Sequence, residues 1–455
     1  MARVTLGRIG LENEEVTPEV TDETLNAMAE APDQEIADAT QIAAELDAID
    51  GAIEEGVDTA DTLGEVAAPL QEAVDSGEGI PAPAAESLRI LVSHMTSRIG
   101  VPVRTKTFAM ESFKGKQTRL QATQIALEGI KETAQRIWAQ IVEAFNKAID
   151  WIKSFFAKLF DGAVKLKAAG EKLSKAAGEK ASATMEKDTI ESAGFAEKLQ
   201  VGGAAPAGDA FAAQFKSFVD SYKTYIGATE AASNRTFMDN VKQLFANATD
   251  GAKAKEKLKV LAHKITFGKK GQSAQTPPEG MEVQVLDLTK IGDKQISGFA
   301  FTAAATDEQV LANIGRVKVW VEDVAGRKAV DGKNVKALTA SAAKEVADSV
   351  VTLAAALIDG KKAAAALETE QKNLQKLASD MSKKAPSMAG PAPEGGQTSS
   401  EAAPSVLAAA VRSSINLTTT ALSQTRSYGL TTGNAALAYV SASLSLHKAA
   451  AAAAK

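Results

Sequence analysis

Residues 130–160 read Ile130-Lys-Glu-Thr-Ala-Gln-Arg-Ile-Trp-Ala-Gln-Ile-Val-Glu-Ala-Phe-Asn-Lys-Ala-Ile-Asp-Trp-Ile-Lys-Ser-Phe-Phe-Ala-Lys-Leu-Phe160. Ile130, Ala134, Ile137, Ile141, Phe145, Ala148, Ile152 and Phe156 recur at spacings of three and four, the repeat of one face of an α-helix. Trp138, Val142, Ile149, Trp151 and Phe155 widen that face. The pattern predicts a helix from about Gln117 to Leu159, with Asp161-Gly162 as its stop. So broad an apolar face needs a protein partner, which makes the chain a helical bundle. The rival reading is a bilayer surface, since a basic helix with Trp and Phe on one side can lie in a lipid interface. Trp138, Phe145, Trp151, Phe155, Phe156 and Phe160 are the residues on which the two readings turn.

Upstream, residues 11–80 are rich in Glu, Asp, Ala, Thr and Gly. Ile36, Ile42, Leu46 and Ile49 give a thin apolar stripe over residues 33–50, so this acidic segment reads as weakly helical and marginal on its own. Gly77-Glu-Gly-Ile-Pro-Ala-Pro83 is a break. A short helix follows over residues 84–98. Residues 99–108 read as extended, because Pro102 pushes its predecessor out of the helical region.

Downstream, Lys- and Ala-rich helical stretches are predicted to about Gln200, and residues 201–208 form a linker. Helix resumes over 209–265. The period then changes to two: residues 282–288, 295–301 and 316–321 read as three strands of a small antiparallel sheet. Residues 334–381 return to helix as a hairpin turning at Asp359-Gly360. Residues 383–404 form a Pro/Gly/Ser linker. Residues 405–455 form a poorly charged helix with weak points at Gly429 and Gly433. The fold class is mostly α: a helical bundle with a small antiparallel β insert, an acidic and marginally ordered N-terminal segment, and a separate C-terminal helix. The organisation is 1–111, 112–200, 201–275, 276–330, 331–382, 383–404 and 405–455.

The chain has 455 residues, 45% apolar and 24% charged, enough to bury a core. Its low aromatic content, 5%, makes that core one of small and aliphatic side chains. Cysteine is absent, which removes disulfides, thiolate metal sites and thiol nucleophiles. The three histidines, His94, His263 and His447, are far apart in sequence, which argues against zinc sites and histidine-based triads. No phosphate-cradling loop or acid–base pair stands out either. The expectation is a non-enzyme with no cofactor, no metal and no catalytic residue. The N-terminus lacks the apolar core of a secretory signal, and no run of about 18 apolar residues occurs, which predicts synthesis in a cytoplasm.

The net charge of −6 conceals an asymmetry. Residues 1–111 hold 23 acidic and 6 basic side chains, net −17, whereas residues 112–455 carry +11. An acidic segment is thus joined to a basic body, a pattern of interaction tails and of nucleic-acid partners. Lys114, Lys116 and Arg119, then Lys165, Lys167, Lys172, Lys175 and Lys180, are the candidate phosphate contacts. A second basic run spans 253–270. No aromatic side chains interleave with these cations, so any nucleic acid would be held without regard to sequence.

The charge boundary falls at Thr107-Phe-Ala-Met-Glu-Ser-Phe113. Ala109-Met110-Glu111, with a cut before Ser112, fits a small-any-Glu pattern. The triplet recurs at Ala43-Ala-Glu45, Ala84-Ala-Glu86, Ala126-Leu-Glu128, Ala169-Gly-Glu171 and Ala228-Thr-Glu230, mostly inside predicted helices, where a protease cleft cannot take it.

The acidic segment, the Phe108–Phe113 junction and the helix beyond resemble the internal head proteins of large tailed bacteriophages, T-even-like and giant phiKZ-like. The resemblance implies a precursor whose propeptide directs it into the prohead. A prohead protease removes the propeptide through Ala109, Met110 and Glu111, leaving Ser112 as the new N-terminus. It further implies a structural virion protein inside the capsid. Capsid or scaffold proteins would be its neighbours and packaged double-stranded DNA its non-specific partner, and some such proteins are ejected with the genome. Two other readings stand beside it. One is a scaffolding protein that leaves the particle. The other is a membrane-active protein using the Trp138–Phe160 helix.

Overall fold

A computed structural model of the chain describes residues 33–101, 116–192, 194–229, 266–330, 334–359 and 421–448, with short pieces or single positions at 239, 243, 256–257, 260, 376, 412–413 and 416–417. Helix α1 (Asp33–Asp75) has 43 residues, α2 (Ala82–Arg98) has 17 and α3 (Lys116–Glu179) has 64. The predicted stop at Asp161-Gly162 is overridden: α3 runs on for another 17 residues beyond Gly162. Gly162, Ala163, Leu166, Ala169 and Leu173 are all buried there, so tertiary packing outweighs the glycine penalty.

α1 and α3 form an antiparallel hairpin. Asp38 pairs with Lys158 at 2.9 Å, Gly56 lies against Ile141, Gln71 accepts from Lys131 at 3.2 Å, and the Ile80 amide donates to Thr123 at 3.0 Å. Ascending one helix descends the other almost residue for residue. Ile36, Leu46, Ile53, Val57, Leu63, Val66 and Leu70 are the buried large side chains of α1. Each contributes roughly 1.5–3 kcal/mol when removed from water, so apolar burial and not ion pairing holds this helix. The segment that reads as marginal alone is therefore not alone: its thin stripe is completed by the broad face of α3. α2 turns back at Pro81 and returns along α1, where Arg98 reaches Glu55 at 3.0 Å.

Between residues 180 and 200 the expected helix is replaced by two short strands, β1 (Thr184–Met185) and β2 (Thr189–Glu191), and a single helical turn and a half, α4 (Phe195–Leu199). Helix α5 (Asp209–Thr224) ends in a π-turn over Tyr225–Thr229. The three predicted strands of the β insert form in the predicted order, and a short strand that the sequence pattern does not mark, Lys269–Lys270, joins them at the edge. β3 (Lys269–Lys270), β4 (Met281–Val285), β5 (Lys294–Phe301) and β6 (Val319–Asp323) form one antiparallel sheet in that order. Helix α6 (Asp307–Asn313), with a Thr306/Gln309 capping box, crosses between β5 and β6. β7 (Asn334–Lys336) pairs with β2, where the sequence pattern reads helix. Helix α7 follows over residues 340–359.

The last helix, α8 (Ala421–Ser445), is separate only in sequence. It is buried almost all round and packs on α1, α3, α4 and β6. Arg426 is its one charged residue, and a helix without a polar face belongs in a core. It does not break at Gly429 or Gly433. A Cβ at Gly429 would stand 2.7 Å from the Tyr222 hydroxyl, and one at Gly433 would stand 2.8 Å from Leu166 Cδ2. These glycines permit close approach. β8 (His447–Lys448) then pairs with β1, which returns the end of the described chain to the C-terminal end of α3.

Candidate nucleic-acid interface and processing junction

The junction Ala109-Met110-Glu111-Ser112 and Lys114 lie outside the described residues, between Val101 and Lys116. In the sequence the junction follows α2 and precedes α3. Four of the competing triplets fall inside helices: Ala43-Ala-Glu45 in α1, Ala84-Ala-Glu86 in α2, and Ala126-Leu-Glu128 and Ala169-Gly-Glu171 in α3.

Lys116 opens α3, and Arg119 follows half-buried beside the Gly79 turn. Lys165, Lys172 and Lys175 are exposed, opposite the buried Leu166, Ala169, Leu173 and Ala176. Lys167 lies 3.6 Å from Glu171. Arg119 and Lys165 are 46 positions apart on one helix, about 70 Å at 1.5 Å per residue. The predicted cations therefore make two separate groups. Lys180 has a structural partner: its ammonium donates to the Leu444 carbonyl at 2.9 Å, at the end of α8 where such a cation is favoured. Of the second basic run, Lys269 pairs with Asp287 at 2.6 Å and Lys270 with Glu282 at 3.8 Å.

The aromatic face of α3 is occupied by protein. Trp138, Phe145, Phe155 and Phe156 are buried, and Trp151 and Phe160 are half-buried against the same core. Phe156 stacks on Phe160 at 5.8 Å, and the Arg426 guanidinium of α8 sits over the Phe156 ring at 5.6 Å. No helix among the described residues is long and apolar enough to cross a membrane.

One cluster has no signal in the sequence, because its members are hundreds of positions apart. Arg412 directs Nε and Nη2 to the two oxygens of Asp50 at 3.2 Å each, and Nη2 also reaches Glu54 at 2.6 Å. Arg316 donates to the same Glu54. Lys318 stands over the rings of Phe299 and Trp320, at 5.5 and 5.3 Å. Burial lowers the Lys318 pKa, against the pull of Asp50 and Glu54. At Arg412 burial works against the charge, but Asp50 and Glu54 outweigh it and hold the guanidinium more firmly protonated. Both carboxylates precede the junction, and all three cations follow it.

No group of acidic and histidine residues among the described ones could hold a metal ion. Comparison with known families matches residues 41–442 to the phiKZ-like phage internal head proteins. No curated protein and no solved structure matches the chain. The match covers most of the sequence, so the chain belongs to that family: it is a structural protein of the phage head interior.

Proposed function

We propose that this internal head protein is made as a precursor, is cut after Glu111 by a protease of the assembling head, and stays in the capsid bound to the genome through the basic remainder. The observation that carries this reading is the coincidence of two features. The charge balance changes sign at residue 111 and a small-any-Glu triplet ends there, whereas four of the competing triplets lie inside α1, α2 and α3. A protease takes its substrate as an extended strand, so the same triplet within α1, α2 or α3 is a poor substrate.

The charge change gives the removal of the acidic segment, rather than the cut alone, a consequence. The uncut chain carries −6, whereas residues 112–455 carry +11 and can displace counterions from duplex DNA. Lys165, Lys172 and Lys175, exposed on one face of α3, suit backbone contacts that ignore base sequence. The absence of a base-reading motif fits a protein that meets any stretch of the genome.

The test is intact-mass and N-terminal analysis of the protein from mature particles, beside a purified uncut copy. A species beginning at Ser112 is expected. A full-length species in mature heads would overturn the processing step and leave the acidic segment as a permanent part of the virion protein.

A further inference from the structure

We propose that Arg316, Lys318 and Arg412 form a phosphate-binding site for the backbone of duplex DNA, filled in the uncut chain by the protein's own Asp50 and Glu54 carboxylates. The inference rests on the DNA-associated reading above and names where on the body that contact is made.

The geometry of the cluster carries it. An arginine that grips one carboxylate with two N–H groups and a second carboxylate with a third is set up as a clamp for an oxyanion. Phosphodiester oxygens present the same acceptors at similar spacing. Arg316 is exposed and Lys318 half-buried, so the cluster opens to solvent at the rim of α1. Phe299 and Trp320 lie beneath the Lys318 ammonium. They place its charge without offering a free ring for a base to stack upon, which suits backbone contact without sequence preference.

The distribution of partners along the chain is the second observation. Among the described ion pairs, those of Arg316 and Arg412 are all with Glu54 and Asp50 of α1. The cations come from the turn that ends at Arg316, from Lys318 just before β6 and from Arg412, all after residue 111. The acidic helix thus covers cations that no other described carboxylate pairs with. Loss of that helix would leave them to an external anion.

The test uses the full-length chain and a short fluorescein-labelled duplex DNA. D50N/E54Q removes the competing charges. Its affinity should rise about tenfold over wild type, and its log–log salt slope should steepen by about 2. E65Q/E72Q, an equal charge change at exposed positions elsewhere on α1, should leave affinity close to wild type. Adding R316A/K318A to D50N/E54Q should abolish the gain. Circular dichroism confirms folding in each case. Should D50N/E54Q not fold, E54Q alone keeps the Asp50–Arg412 pair and must show a smaller gain in the same direction.

No gain from either D50N/E54Q or E54Q overturns the site, as does a gain that survives R316A/K318A. An equal gain from E65Q/E72Q also overturns it, while leaving general DNA association by the basic body intact. Absence of DNA binding by every variant at low salt overturns both the site and the DNA reading. Displacement of the DNA by inorganic phosphate at matched ionic strength would assign the cluster to a small anion and overturn the duplex as its ligand.

Discussion

Arg412 and Asp50 are 362 positions apart in sequence and meet in a two-pronged ion pair, with both nitrogen–oxygen distances at 3.2 Å. The Arg412 side chain is only 9% exposed and that of Asp50 16%, so neither charge is fully solvated. Removing one partner strands the other. Asp50→Ala is expected to cost about 2–4 kcal/mol, less than a fully buried pair because Glu54 remains beside Arg412. D50A/R412A should cost less than the sum of the single changes. Urea unfolding of the two singles and the double measures the coupling; additive effects would show that the pair contributes nothing of its own.

The Gly429 position tests the seating of α8. Gly429→Ala puts a methyl group 2.7 Å from the Tyr222 hydroxyl, which donates to the Thr425 carbonyl at 2.6 Å. The expected loss is about 1–3 kcal/mol, from overpacking and a strained hydrogen bond. Gly64→Ala in α1 meets nothing within 4 Å and is expected to stabilise by about 0.5–1 kcal/mol through helix propensity. Thermal melts of the two variants should therefore move in opposite directions.

Cutting the chain at the junction should not by itself separate its parts. Seven large apolar side chains of α1 are buried, and a peptide cut between α2 and α3 removes none of those contacts. A chain cut at an introduced protease site between residues 109 and 112 is expected to elute as one species in gel filtration and to separate only in denaturant. Separation in plain buffer would show that the apolar seam is weaker than its burial implies.

Glu322 should make the β insert acid-sensitive. Burial raises its pKa, but hydrogen bonds from Ser297 at 2.5 Å, Ser273 at 2.7 Å and Gln295 at 3.2 Å outweigh that and hold it below the usual glutamate value. A carboxylate depressed in the folded state stabilises the fold above its unfolded pKa. That stability disappears as pH falls through the lower, folded value. Melting temperature should thus drop as pH falls below about 4, and Glu322→Gln should flatten that drop while lowering stability at neutral pH. An unchanged acid profile in the variant would remove Glu322 as the cause.

Much of the architecture is legible in the residues. The three- and four-residue repeat from Ile130 to Phe156 marks α3, and the alternation in 282–301 marks β4 and β5. Both signals are local, although β5 proves to be buried on both faces. The failures are equally physical. Gly162 looks like a stop because propensity is local, whereas the packing of Leu166, Ala169 and Leu173 is not. Asn334-Val-Lys336 reads as the start of a helix because its partner, Thr189-Ile-Glu191, is far away in sequence. Of the candidate site, the charge boundary and the junction are legible from composition. The exposed lysines of α3 are legible once its buried face is known. The Arg412 cluster is not, since nothing in the residues around Asp50 says which distant arginine they will meet.

Helix α8 sets the order of events during folding. It lies against α1, although Asp75 and Ala421 are separated by all the chain from α2 to α7. Contacts between such distant segments form late and slowly, since the loop between them must close first. Until then α1 and α3 lack a neighbour that both require. Truncation anywhere before residue 421 would remove that neighbour and leave an open hairpin, so the fold depends on α8 as much as on the apolar face of α3.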